Sequence, residues 1–168
     1  MSSRFVQYVF MWAVLILLQV LLLNHIQISG YINPFLYIMF ILLLPFDTPK
    51  YLLLFLGFLT GLTIDIFSNT LGIHASATTF LAFLRPLVIN LISPRDVLEI
   101  NASPRISHLG LRWFFRYTLV LVLAHHFFLF YIEVFTLKGF IFTFFRSSLS
   151  SAFSIVLIIL SQFLIYKE

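Results

Sequence analysis

One carboxylate interrupts an otherwise apolar stretch of this sequence. Asp65 follows Gly57 and Gly61 at intervals of four residues, so all three lie on one face of a helix. A charged side chain in the middle of a bilayer costs about 2.5–3.5 kcal/mol, and less near an interface. Glycines at this spacing let another helix approach closely. The stretch therefore predicts a tight helix pair whose carboxylate needs a compensating partner.

Other ionisable residues also fall within apolar runs. At about 1.5 Å per helical residue, Asp65, His74, Glu133 and Arg146 are expected near the same end of their helices. These four are predicted to form an intramembrane polar cluster, with Arg146 as the counter-ion of Asp65 or Glu133. Arg85 lies roughly 20 Å further along, so it is expected to extend towards the opposite surface instead.

Three interpretations of Asp65 remain open at this stage. Its carboxylate could accept hydrogen bonds from backbone or hydroxyl groups near residues 68–70, bind a partner protein, or take part in ligand or proton transport. His74 is expected to be a hydrogen-bonded histidine between helices. The pair His125-His126 is poorly placed to chelate one metal ion, because adjacent helical residues point about 100° apart. The serines of residues 147–154 indicate helix packing.

Sequence motifs for catalysis are missing. The chain has no HExxH, no P-loop, no GxSxG and no cysteine. We therefore expect a protein that is not an enzyme and that has no metal ion and no cofactor.

The composition defines the environment in which these residues act. Of the 168 residues, 61% are hydrophobic and only 10% are charged, and the mean hydropathy is +1.08. A soluble domain has about 25% charged residues. The chain is therefore predicted to be an all-α integral membrane protein. Its net charge of +4 comes from scattered basic residues, which indicates membrane topology and not nucleic-acid binding.

The hydrophobic pattern predicts a single domain that forms a six transmembrane helix bundle. The expected spans are residues 5–23, 32–46, 51–67, 71–92, 112–135 and 140–165, with one sizeable loop at 93–111. The second span is short, so it could be a thin span or a re-entrant segment. The distribution of Lys and Arg places both termini in the cytoplasm. A cytoplasmic basic loop is then expected at Arg95, Arg105, Arg112 and Arg116, facing anionic membrane lipid or cytoplasmic partners.

Residues 57–75 resemble the rod shape-determining protein MreD family. The resemblance rests on Gly57-Phe58, Gly61-Leu62 and Asp65, followed by Leu71-Gly72-Ile73-His74-Ala75. It implies a non-enzymatic, multi-pass component of the bacterial inner (cytoplasmic) membrane that belongs to the rod complex, or elongasome. Such proteins support cell shape and lateral peptidoglycan synthesis. Their partners are a bitopic MreC-like protein, the actin-like MreB, RodA and a class B penicillin-binding protein.

For this chain, the resemblance implies a scaffold. The residues expected to serve partner binding or helix packing are Gly57, Gly61, Asp65, Gly72 and His74. An alternative is a substrate-binding subunit similar to the S-components of vitamin uptake transporters, which also have six helices. Those proteins commonly carry small residues spaced by four in the first span, and residues 6–15 have no such pair.

Overall fold

The computed structural model describes residues 2–26, 32–93, 103–136 and 139–165, and in these ranges the chain is helical with no β-strand. The helices are α1 (Ser2–Leu21), α2 (Met39–Leu43), α3 (Lys50–Ser68), α4 (Ile73–Ile92), α5 (Ile106–Val134) and α6 (Phe140–Ile165), and a 3₁₀ turn at Leu23–His25 follows α1.

Five of these helices, α1 and α3–α6, are long and apolar enough to cross a membrane. Their outer faces carry many exposed Phe, Leu, Ile and Val side chains, as lipid contact requires. The chain is thus an all-α, multi-pass membrane bundle, which confirms the predicted fold class.

The predicted second span crosses the bundle in an unexpected form. Trp12 Nε1 donates to Thr60 Oγ1 (3.1 Å), and Asn24 Nδ2 donates to Ser68 Oγ (3.0 Å), so α1 and α3 run parallel. The chain between two parallel helices must return from one end of the bundle to the other. Residues 32–46 make this sixth pass, and we call them the inner segment. Asn24 lies at one end of the bundle, the Asn24 end, and Pro45 at the other, the Pro45 end.

Only Met39–Leu43 of the inner segment is a helix, and residues 34–44 are buried. The expectation of a short transmembrane helix over 32–46 is therefore wrong in form, although the crossing itself is present. Irregular backbone at membrane depth is tolerated where protein covers it, and here the five long helices provide the cover.

Two helical pieces make up α5. Gly110, with φ of 78° and ψ of 159°, is non-helical and separates a short turn at 106–109 from a long helix that starts at Leu111. The long helix therefore starts close to the expected 112, and the short turn lies in the end of the predicted loop 93–111. Just before this turn, the hydroxyls of Tyr8 and Ser103 are 3.0 Å apart.

The four arginines of the predicted basic loop lie in different parts of the chain. Arg112 and Arg116 lie on α5 with exposed side chains, and Arg105 directly precedes the helix. Arg95 lies outside the described residues. The expectation that all four belong to one loop is wrong for Arg112 and Arg116.

The two glycines of α3 set its distance from α4. A Cβ atom at Gly57 would lie 2.8 Å from the Cβ of Ala82. At Gly61 it would overlap the carbonyl oxygen of His74 and lie 2.6 Å from the amide nitrogen of Ala75. Real Cβ atoms do not approach other atoms so closely, so only glycine permits this helix pair. The tight α3–α4 hairpin expected from the sequence is formed, and it occupies the glycine face.

Candidate functional site

Asp65 caps the helix that follows its own. Its Oδ1 accepts the amide N–H of His74 (3.0 Å) and its Oδ2 accepts that of Ala75 (2.8 Å), while the hydroxyl of Thr70 donates to Oδ1. The N-cap position of α4 is Gly72, which has no side chain and has φ of 80°. The carboxylate from α3 therefore satisfies two N–H groups that a capping side chain would ordinarily satisfy.

This arrangement explains how a carboxylate that is only 2% exposed is tolerated in the bundle. The N-terminus of a helix carries a partial positive charge, so the start of α4 compensates the negative charge of Asp65. Of the three interpretations of Asp65, the geometry matches hydrogen bonding to backbone and hydroxyl groups beside residues 68–70. Among the described residues, no hydrogen bond or ion pair joins Arg146 to Asp65.

Arg146 pairs instead with Glu133. Nη1 of Arg146 lies 3.2 Å from Oε2 of Glu133, and its Nη2 lies 3.3 Å from Oε1. The guanidinium also lies 4.3 Å from the ring centroid of Phe130. Arg146 is half-buried, and this pair links α5 to α6 at the Asn24 end. Of the two counter-ions expected for Arg146, the structure selects Glu133.

A buried chain of hydrogen bonds runs through the hydroxyl of Tyr37, in the inner segment. This oxygen lies 3.0 Å from Nδ1 of His74 and 3.1 Å from Nε2 of His125, and Thr78 Oγ1 is 3.2 Å away. All four side chains are buried. Tyr37 thus connects α4 to α5 through two histidines.

The proton positions in this chain of hydrogen bonds follow from one buried nitrogen without a partner. In the part of the chain that the structure describes, His125 Nδ1 is buried without a hydrogen-bond partner. A buried acceptor without a partner is more common than a buried N–H without one, so we assign the proton of His125 to Nε2. The hydroxyl oxygen of Tyr37 then accepts a hydrogen bond from Nε2–H of His125, and its own O–H donates to Nδ1 of His74. His74 then carries its proton on Nε2.

The second histidine of the pair has a different set of partners. His126 Nδ1 is 2.9 Å from the carbonyl oxygen of Val122, which can only accept, so Nδ1 carries the proton. Its Nε2 accepts from the hydroxyl of Ser154 (3.0 Å), which in turn accepts the amide N–H of Phe35 (2.8 Å). In the described ranges no group of three or more His, Cys, Asp or Glu residues is arranged to hold a metal ion.

Side chains of the long helices also satisfy the backbone of the inner segment. Gln19 of α1 accepts the amide N–H of Leu36 (2.8 Å) and donates to the carbonyl oxygen of Pro34 (3.1 Å). From α6, Ser150 accepts the amide N–H of Asn33 (3.1 Å). Within the membrane these bonds replace those that a regular helix would make with itself.

Arg85 performs the same task at the Pro45 end. Its Nη2 donates to the carbonyl oxygen of Leu44, both terminal nitrogens lie 3.4–3.5 Å from that of Pro45, and its Nε donates to Tyr117 Oη (3.0 Å). Tyr117 donates in turn to the carbonyl oxygen of Leu42 (2.9 Å). Arg85 is 1% exposed. The expectation that it extends to the surface is wrong, because the unpaired carbonyls of the inner segment hold it inside.

The serine face of α6 divides into two groups. Ser147 and Ser151 donate to the carbonyl oxygen four residues earlier, which is an ordinary arrangement in a membrane helix. Ser150 and Ser154 bind the inner segment. The predicted packing role of these serines is therefore only part of what they do.

A cavity of about 410 Å³ opens at the Asn24 end, directly above the Tyr37 chain. All six passes contribute to its lining. Its polar lining side chains include Asn24, Asn33, His74, Glu133 and Arg146, and Phe35 lies among them. The volume is within the range of small-molecule sites, and the lining offers both donors and acceptors.

The predicted polar cluster is only partly assembled. His74, Glu133 and Arg146 line the same cavity, whereas Asp65 lies behind His74 and is absent from the lining. Gly57 and Gly61 face α4, and Gly72 begins it. Gly57 and Gly61 cannot receive a partner helix unless α3 and α4 separate.

Sequence reasoning missed the residues of the inner segment. Tyr37 and Phe35 lie in a continuous apolar run, where nothing distinguishes them from core aromatic residues. Gln19 did give a signal, because an amide within an apolar span needs a partner. That partner is the backbone of the inner segment, at Pro34 and Leu36.

Comparison of the chain with protein-family models, with curated proteins and with solved structures finds no match. The fold and the site define a class: a multi-pass α-helical membrane protein with an irregular inner pass and a polar cavity at one end.

Proposed function

We propose that this chain is a non-enzymatic scaffold of the bacterial rod complex, similar to MreD, in the cytoplasmic membrane. The observation that supports this proposal is the α3–α4 hairpin. The residues that carry the resemblance act there as one unit: Gly57 and Gly61 at the closest approach, Asp65 as the cap, and the residues at 72–75 as the start of α4.

The use of the buried polar groups agrees with a scaffold. Gln19, Arg85, Ser150 and Tyr117 are engaged with the backbone of the inner segment. Such bonds fix a structure and leave few groups free for catalysis. With Lys50 and Arg105 at the Pro45 end, we propose that this end faces the cytoplasm.

A partner helix must use a surface other than the glycine face. We place the MreC-like contact on α1, which is the least buried of the five long helices. An apolar groove of about 510 Å³ lies between α1 and α3, and Val9, Trp12, Leu52 and Leu59 are among the residues that line it. Helix association in membranes depends on such packing surfaces.

Photocrosslinking in cells tests this proposal. A photoreactive residue at Val9 or Leu52, both exposed, should capture an MreC-like bitopic protein. The matched control is Val120 on α5, which is exposed to a similar degree and lies outside the groove. Capture at neither groove position, or equal capture at Val120, would refute the proposed contact.

The cavity supports a second candidate function, that of a substrate-binding subunit similar to a transporter S-component. Irregular membrane segments and polar cavities are common features of transporter binding sites. Gene neighbourhood separates the two: genes for MreB, MreC and a penicillin-binding protein would support the scaffold, and a pair of transport ATPases would support the alternative.

A further inference from the structure

We propose that the cavity at the Asn24 end binds a zwitterionic group, in which an ammonium and an anionic oxygen group lie a few atoms apart. This inference does not depend on the scaffold proposal. A phospholipid head group and a small soluble zwitterion share this chemistry, so either could be the source.

The first argument for a zwitterionic ligand comes from the charged side chains that line the cavity. Glu133 and Arg146 are the carboxylate and the guanidinium that line the cavity, beside the imidazoles of His25 and His74, and their ion pair has no net charge. Asp65 lies outside the lining and is compensated by α4. A simple cation would therefore be repelled by Arg146, and a simple anion by Glu133. A zwitterion can place an opposite charge beside each of them.

The second argument comes from the hydrogen-bond donors that could bind the anionic part of the ligand. The guanidinium of Arg146 has five N–H groups in a planar fork, of which the contacts to Glu133 use two. Its contact with Phe130 fixes the plane of this fork. His74 adds Nε2–H, because Nδ1 is engaged with Tyr37. An anionic oxygen group would lie between these donors.

The third argument comes from the carboxylate of Glu133, which could bind the ammonium part of the ligand. The carboxylate of Glu133 has a side chain that is 38% exposed, and each of its oxygens contacts Arg146 with room for a second donor. An ammonium beside it would extend the ion pair into a network of alternating charges. The two grooves beside α1 are lined mainly by apolar side chains, so they suit lipid chains or helices and not this ligand.

Native mass spectrometry of the full-length protein in detergent tests this inference. Phosphatidylethanolamine and phosphatidylglycerol with identical acyl chains are added in equal amounts. We expect the zwitterionic lipid to be retained about tenfold more, the factor that corresponds to one charge-assisted hydrogen bond. Glycerophosphoethanolamine is then added as the soluble competitor. Its binding identifies a soluble zwitterion as an accepted ligand, and lipid binding without competition identifies the head group.

Two variants assign the binding to the cavity. Glu133→Gln and Arg146→Gln should each remove the preference, and the exchange Glu133→Arg with Arg146→Glu should restore it because the pair and the net charge return. Arg116→Gln, exposed on α5 and outside the cavity lining, is the matched control and should keep the preference. Equal retention of both lipids with no binding of the soluble competitor, or an unchanged preference in both cavity variants, would overturn the inference.

Thermal unfolding of each variant shows whether it is folded, and the exchanged pair keeps the test valid if a single variant unfolds. A negative result leaves the crosslinking experiment on α1 unaffected, so the two proposals fail separately.

Discussion

The carboxylate of Asp65 accepts the amide proton of His74 at 3.0 Å, across the turn that joins α3 to α4. A residue that the sequence marks as a membrane anomaly is therefore the cap of the next helix. Because that cap comes from a different helix, the fold of α4 depends on how closely α3 lies beside it, and this distance depends on Gly57 and Gly61.

Asp65→Ala should lower the free energy of unfolding by about 1–3 kcal/mol, since two amide N–H groups of α4 and the Thr70 hydroxyl lose their acceptor. Asp65→Asn should cost less, because its amide oxygen still accepts. Thermal unfolding followed by circular dichroism measures both, and exposed Asp47→Ala is the control. An Asp65→Ala protein as stable as that control would contradict the capping role.

Gly61→Ala should be more damaging than Gly57→Ala. The new methyl at 61 would overlap the backbone of α4, whereas at 57 it would lie 2.8 Å from the Ala82 Cβ and 3.0 Å from the Thr78 carbonyl oxygen, which is a less severe overlap. Overpacking of this kind costs about 1–3 kcal/mol. Unfolding in a titration with dodecyl sulfate gives the order. Ala82→Gly should partly rescue Gly57→Ala, since the contact with the Thr78 carbonyl oxygen remains, and should not rescue Gly61→Ala. The reverse result would exclude the Ala82 contact as the cause.

Arg85→Met should release the inner segment at the Pro45 end, because the carbonyl groups of Leu44 and Pro45 lose their donors. Each buried group left without a partner costs about 1–3 kcal/mol. Hydrogen exchange should become faster at residues 39–46. Arg112→Met removes an exposed arginine and should leave this exchange as it was. Protection that persists in Arg85→Met would show that other contacts hold the segment.

Tyr37→Phe should uncouple His74 from His125, since the hydroxyl that bonds to both imidazoles disappears. We expect about 1–3 kcal/mol of destabilisation. Nitrogen chemical shifts of the labelled imidazoles should show that the Nε2–H tautomer of His74 is no longer enforced. The control is Tyr51→Phe, which removes an exposed hydroxyl. Unchanged imidazole shifts in Tyr37→Phe would contradict the assigned proton positions.

The α3–α4 hairpin could be predicted because its information is local. Glycines at intervals of four and a turn at residues 68–72 are properties of neighbouring residues. The approach of Arg146 to Glu133 was also accessible, since depth along two antiparallel helices joined by a short turn places them together.

The position of Arg85 could not be obtained in this way. Depth along a helix says how far a residue lies from the surface, but not what it faces. The carbonyl groups that hold Arg85 inside become available only because the inner segment is irregular. The sequence marked that segment as short, yet the number of residues does not distinguish a thin helix from a partly extended chain, which covers up to about 3.3 Å per residue.

The inner segment also imposes an order on membrane insertion. Its Phe35 amide donates to Ser154, which lies 119 residues later in the chain. A segment that cannot satisfy its own backbone is unfavourable in hydrocarbon by itself, so it cannot insert as an independent helix. Its final position therefore requires α6, and a chain truncated before Ser150 would lack the last partners of its second pass.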